Sequence, residues 1–175
     1  MGLPAPRVAH AKVYVNGTYA GLYTIVEPVD RGFLKRSPGE DGGHRYDYEW
    51  TSEYWFEYLG DDPAAYSPYP FQPETNERSP DPRPLVEMIR VINQSADAEF
   101  LAALSRYLDP KHFLSYLAVE MFLAEADGLA GEWGLNNFYL YRLQGSAGLC
   151  LSLGIRTSRS IPSRDPSGGI WSATC

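Results

Sequence analysis

Hydrophobic and polar positions change their rhythm along the chain. Over 8–27, "VAHAKVYVNGTYAGLYTIVE", β-branched and aromatic residues form two runs on either side of Asn16-Gly17. That pair supplies the positive φ values of a type I′ turn, so the pattern predicts a hairpin of strands 8–15 and 19–27. "DRGFLKR" after Pro28 predicts a short helix, and "HRYDYEW" over 44–50 another strand. Residues 60–84 are crowded with prolines and read as a long irregular excursion.

From Pro84 the period lengthens. "PLVEMIRVINQ" places apolar residues at 85, 86, 89 and 92, one face of a helix. Asp97 is placed as the N-cap of a second helix, "AEFLAALSRYL". Asp109-Pro110 opens a third, because Asp accepts from first-turn N–H groups and Pro suits the first turn. This helix, 110–126, is apolar on nearly every side, which predicts the most buried element of the fold. It ends at Asp127-Gly128; a loop follows, and "NNFYLYRL" from Asn136 predicts a strand. The fold class is α+β, an N-terminal β-hairpin followed by a mainly helical part.

Composition narrows the function. The 175 residues, 44% hydrophobic and 14% aromatic, suit one globular domain. A net charge of −7 argues against a nucleic-acid partner, which needs a basic face, and against docking on an anionic membrane. No run is long enough for a transmembrane helix, and "MGLPAPRVAH" has no apolar signal-peptide core. Cys150 and Cys175 are too few for a disulfide framework, and His10, His44 and His112 show no ligand spacing. Glycine-rich phosphate loops of the P-loop and Rossmann types are missing.

Composition also breaks after Gln144. Residues 1–144 carry a net charge of −9 and all thirteen tyrosines; residues 145–175 carry +2, both cysteines and seven serines. This divides the chain into a domain over 1–144 and an unstructured tail over 145–175.

Chemistry is concentrated near the end of the third helix. Asp127 stands at the mouth of a loop that closes on Asn136 and Asn137, giving oxygen donors and a possible base. Read from pattern alone, Asp127 is a turn residue and Asn136 the start of a strand. Glu27 ends an apolar strand, where it either pairs with a cation or faces water; the pattern favours water. Glu120, inside the apolar helix, predicts a buried partner with a structural task. Lys12 is read as solvated.

Together, "VYVNGTYAGLYTIVEPVDRGFL" and "YLAVEMFLAEADGL…NNFYLYR" resemble the signature of the CotH kinase family, the spore-coat-protein-H-like secreted kinases. The resemblance spans about 1–144. It implies an atypical protein-kinase-like fold using ATP with Mg²⁺ or Mn²⁺ on a protein substrate, at a secreted, cell-envelope or spore-surface location. It makes Asp127 the catalytic acid of the loop, with Asn136, Asn137 and Glu27 close to nucleotide or metal. The competing function is a non-catalytic spore-coat or cell-surface structural or adhesion module.

Three departures from the family pattern stand out. "MGLPAPR" lies inside the domain in family members, so the chain reads as an internal fragment. "GHRYDYEW" offers Arg45, Tyr46 and Asp47 where family members often have Lys. The Pro-Trp-Asp-x-Asp motif that should follow "NNFYLYR" and supply metal-binding acids is absent, leaving no complete metal site. With one synonymous choice of codons for Ser152–Thr157, reading from the third base of the serine codon gives Pro-Trp-Asp-Lys-Asp. The tail is therefore read as out of frame, and this truncated chain as inactive.

Overall fold

A computed structural model describes residues 3–51, 54–146 and 148–153. Asn16 and Gly17 take φ values of 51° and 82°, and their turn joins β1 (Val8–Val15) to β2 (Thr18–Val26). The hairpin is antiparallel, with Val8 opposite Val26 and a bulge between Val13 and Tyr14. It forms a sheet of two strands. Tyr14, Val15, Leu22, Tyr23 and Ile25 are exposed on it, and Lys12 is solvated. Because side chains alternate across a strand, adjacent pairs such as Tyr14-Val15 leave both faces apolar.

α1 (Arg31–Arg36) follows, capped by Asp30, which accepts from the N–H groups of Gly32 and Phe33. It buries Phe33 and Leu34 against Tyr141. The second sheet contains β3 (His44–Tyr48), β4 (Phe71–Pro73), β5 (Phe138–Arg142) and β6 (Leu149–Leu153), in the order β4-β3-β5-β6. All its pairings are antiparallel, with Tyr46 opposite both Leu140 and Pro73. Against it packs α2 (Arg83–Gln94), whose Leu85, Val86, Met88 and Ile89 join Tyr46, Tyr48, Phe71, Phe138 and Leu140 in one core. α3 (Asp97–Leu104) and α4 (Pro110–Leu123) complete the described elements. Among the described residues the fold is thus α+β, with two small antiparallel sheets and four helices.

Four expectations need correcting. The proline-rich stretch is not wholly irregular: it holds a 3₁₀ turn at Pro63–Ala65, capped by Asp62, and β4. Asp97 is the first residue of α3, with Ala96 at the cap position. The third helix ends at Leu123, where Ala124 takes a left-handed φ of 52°, and it is not the most buried element. Only Tyr116 and Glu120 of α4 are buried, while Met121 and Phe122 are 76% and 87% exposed. An apolar helix is buried only where something packs on it, and one stripe of α4 meets the core; α2, whose apolar residues share one face, takes the central position instead.

The fourth correction concerns the tail. Leu149–Leu153 pairs with β5 along its whole length, and Leu149 belongs to the core. Strand pairing uses backbone groups that every sequence carries, so the break in composition does not prevent this segment from covering the open edge of β5. The remainder of the tail, 154–175, lies outside the described residues.

Candidate functional site

α4 is fixed at its start by Asp109, whose side chain accepts from the N–H groups of Lys111 and His112. At its end the left-handed Ala124 turns the chain into a loop that reaches β5. The loop is bound to itself: Gly131 N–H donates to Gly128 O, Gly134 N–H to Gly131 O, and Trp133 N–H to Ala126 O. Gly131 is required by space as well, since a Cβ there would stand 2.1 Å from Ala126 O.

This loop brings three of the sequence candidates together. Asn136 Nδ2 donates to Asp127 Oδ1 at 2.5 Å, and Asn137 Nδ2 donates to Asp127 Oδ2 at 2.6 Å and to its backbone oxygen at 2.8 Å. Both oxygens of the Asp127 carboxyl are thereby oriented by neutral donors. The group is half-buried, so one side still meets solvent. Asn137 takes a left-handed φ of 49°, a conformation that asparagine tolerates better than most residues.

Glu27 is not part of this cluster. Its carboxyl accepts from Arg36 Nη2 at 2.5 Å and from the Arg7 N–H at 2.8 Å, at the open end of the hairpin. The Arg36 side chain, then the Arg7 N–H, holds Glu27 below the usual carboxylate range. The expectation that Glu27 faces water is therefore corrected: α1 swings Arg36 back onto it. Arg45 is committed too, to Asp47 at 2.8 Å and Glu74 at 3.3 Å. Glu120 does have its buried partners, the Tyr116 hydroxyl and backbone N–H groups of the loop.

An open cleft of about 290 Å³ runs beside the loop, lined by Glu120, Met121, Ala124, Glu125, Ala126, Ala130, Gly131 and Glu132. Three of these residues are acids and none is Lys or Arg, so the cleft offers phosphate no favourable charge. Among the described residues no three His, Cys, Asp or Glu side chains are placed to hold a metal ion. Asp127, Asn136 and Asn137 provide one carboxyl and two carboxamides, short of the oxygen set that a divalent cation takes from a protein and its substrate. They do not by themselves fit a metal centre. Among the described residues no helix is long and apolar enough to cross a membrane.

What sequence reasoning missed were the spacers and the counter-ion: Gly128 and Gly131, which admit close approach, and Arg36. The glycines following Asp127 were visible as a signal; Arg36 was not, because its partner is chosen by the turn into α1.

A search of the curated proteins found no match to this chain. A family model described as "CotH kinase protein" matches residues 1–150, from before the hairpin into β6. The stretch includes both motifs and the Asp127–Asn136–Asn137 cluster. The chain belongs to the CotH kinase family.

Proposed function

We infer that this chain is part of a protein kinase that transfers the γ-phosphate of ATP to a Ser or Thr hydroxyl. The phosphate's bond to the ADP oxygen breaks as its bond to the hydroxyl oxygen forms, and Asp127 takes the hydroxyl proton. Asn136 and Asn137 hold the carboxyl in one orientation for that transfer, which is worth rate because a correctly aimed base needs no reorganisation. The family implies Mg²⁺ or Mn²⁺ with the nucleotide, a kinase-like fold for the whole enzyme, and a coat or surface protein as substrate. The expected location is secreted, on the cell envelope or on the spore surface. The observation carrying the reading is the two-sided grip on Asp127, within a family-matched stretch.

On this reading the 175-residue chain is a fragment and inactive, since its described donors do not complete a metal site. Calorimetry should detect no ATP binding with Mg²⁺ or Mn²⁺, and radiolabelled ATP should give no phosphoprotein. A protein with the upstream segment and the downstream frame restored should phosphorylate, and Asp127→Asn should abolish it. Transfer by the 175-residue chain would overturn the fragment reading; a restored enzyme indifferent to Asp127→Asn would overturn the catalytic one. The second reading, a structural or adhesion module, draws on the exposed Met121, Phe122 and Leu123 of α4, apolar surface of the kind assemblies bury.

A further inference from the structure

Glu120 sits in an apolar helix at 2% exposure, the one buried charged side chain among the described residues. A buried carboxyl is costly unless its oxygens are satisfied. Here the partners are neutral donors. The Tyr116 hydroxyl donates to Oε1 at 2.6 Å, the Leu129 N–H to Oε1 at 3.0 Å, and the Ala130 N–H to Oε2 at 3.1 Å. Burial, then the bond to Glu120, pushes the Tyr116 hydroxyl far above its ordinary range, so it remains a donor at every physiological pH. The two N–H groups belong to consecutive residues, which begin two places after Asp127.

The approach depends on a missing side chain. A Cβ on Gly128 would stand 2.4 Å from Glu120 Oε1. A side chain directly after Asp127 would therefore push the Glu120 carboxyl away from the loop. On the other side of Asp127, Ala126 O accepts from the Trp133 N–H. Asp127 thus lies between two anchored points, one of them supplied by the helix.

We propose that Glu120 is a positioning residue: through Leu129 and Ala130 it fixes the loop that presents Asp127 to Asn136 and Asn137. The proposal rests on the reading of Asp127 as the reacting acid for its functional meaning, but its geometry is measurable without phosphate transfer. It assigns to a helix residue a task that pattern alone marks as core structure.

The test uses the full 175-residue chain, labelled with ¹⁵N. Two signatures are read: amide exchange at Leu129 and Ala130, and the side-chain amide signals of Asn136 and Asn137. Glu120→Ala should raise exchange at both amides by about tenfold or more, as each loses its acceptor. It should also move the Asn136 and Asn137 side-chain signals toward those of free carboxamides, while amides of β3, β5 and α2 keep their protection. Glu120→Gln, whose one oxygen keeps the Tyr116 and Leu129 bonds while its NH2 faces the Ala130 N–H, should return protection at Leu129 and part of the Asn136 and Asn137 signature. If Glu120→Ala unfolds the chain, Gly128→Ala decides, because its Cβ displaces the carboxyl and should give the same local pattern.

Unchanged Asn136 and Asn137 signals in a folded Glu120→Ala or Gly128→Ala protein would overturn the proposal. So would a Glu120→Gln protein as perturbed as Glu120→Ala. A positive result here, combined with a restored enzyme that tolerates Asp127→Asn, leaves Glu120 as an organiser of the loop and removes only the catalytic reading.

Discussion

Asn137 grips Asp127 twice with one nitrogen: its Nδ2 lies 2.6 Å from Oδ2 and 2.8 Å from the backbone oxygen of the same residue. Side chain and main chain of Asp127 are thereby fixed together. The clasp is made from a left-handed backbone at Asn137.

Separating these two contributions is straightforward. Asn137→Gly loses the clasp and suits the left-handed backbone; Asn137→Ala loses the clasp together with the local side-chain bonding that lets asparagine tolerate φ 49°. Asn137→Ala should cost about 1–3 kcal/mol for the lost bonds, plus a further ~1 kcal/mol for the backbone. Urea midpoints should therefore fall in the order wild type, Asn137→Gly, Asn137→Ala.

Glu27 should report on the hairpin through pH. Its carboxyl is held below the ordinary range in the folded chain, chiefly by the Arg36 side chain. A depressed folded pKa stabilises fully above the unfolded value, about 4.3, and that stabilisation disappears as pH falls through the folded value. The carboxyl carbon of Glu27, followed by NMR, should titrate below the ordinary glutamate value. Arg36→Ala should move the midpoint upward. A midpoint insensitive to that change would show that the pair does not persist in solution.

The corrected position of α4 makes a contrast between two helices. Ile89 of α2 is fully buried, and Ile89→Ala should cost about 2–5 kcal/mol. Phe122 of α4 is exposed, and Phe122→Ala should shift stability by no more than about 0.5 kcal/mol. Equal costs, measured by chemical denaturation, would mean that α4 is packed after all.

Gly43 joins the start of β3 to Tyr141 on β5. Its N–H donates to the Tyr141 hydroxyl at 2.9 Å, and a Cβ there would stand 2.1 Å from Arg142 O. Since the obstacle is backbone, it does not move aside cheaply. Gly43→Ala should destabilise by about 1–3 kcal/mol or more, seen as a lower thermal midpoint.

Local chemistry was legible in the sequence. Asn16-Gly17 announced the hairpin because a type I′ turn needs two residues that accept positive φ, and Asp109-Pro110 announced the start of α4. Asp127 and the Asn pair were legible as a group, since nine or ten positions of loop separate them. What stayed hidden was non-local. Phe71–Pro73 forms a strand only because β3 lies beside it, and nothing in its own proline-rich surroundings says so. The exposure of α4 was illegible for the same reason: its composition states what it would bury, whereas burial depends on which elements arrive. Leu149–Leu153 shows the converse, a strand recruited by its neighbour despite the break in composition after Gln144.

The order of strands in the second sheet sets the timing of assembly. The hairpin at Asn16-Gly17 closes over two residues, an event of about 1–10 μs. Gly43 and Tyr141, at the seam between β3 and β5, are 98 positions apart. Their pairing must wait until the intervening chain has been closed into a loop, and such distant pairings slow folding. Asn136 and Asn137 lie directly before β5, so the cluster around Asp127 depends on that distant pairing. Synthesis, at about 5–20 residues per second, delivers β5 seconds after the hairpin. Until β5 emerges, Asp127 has no carboxamides to hold it.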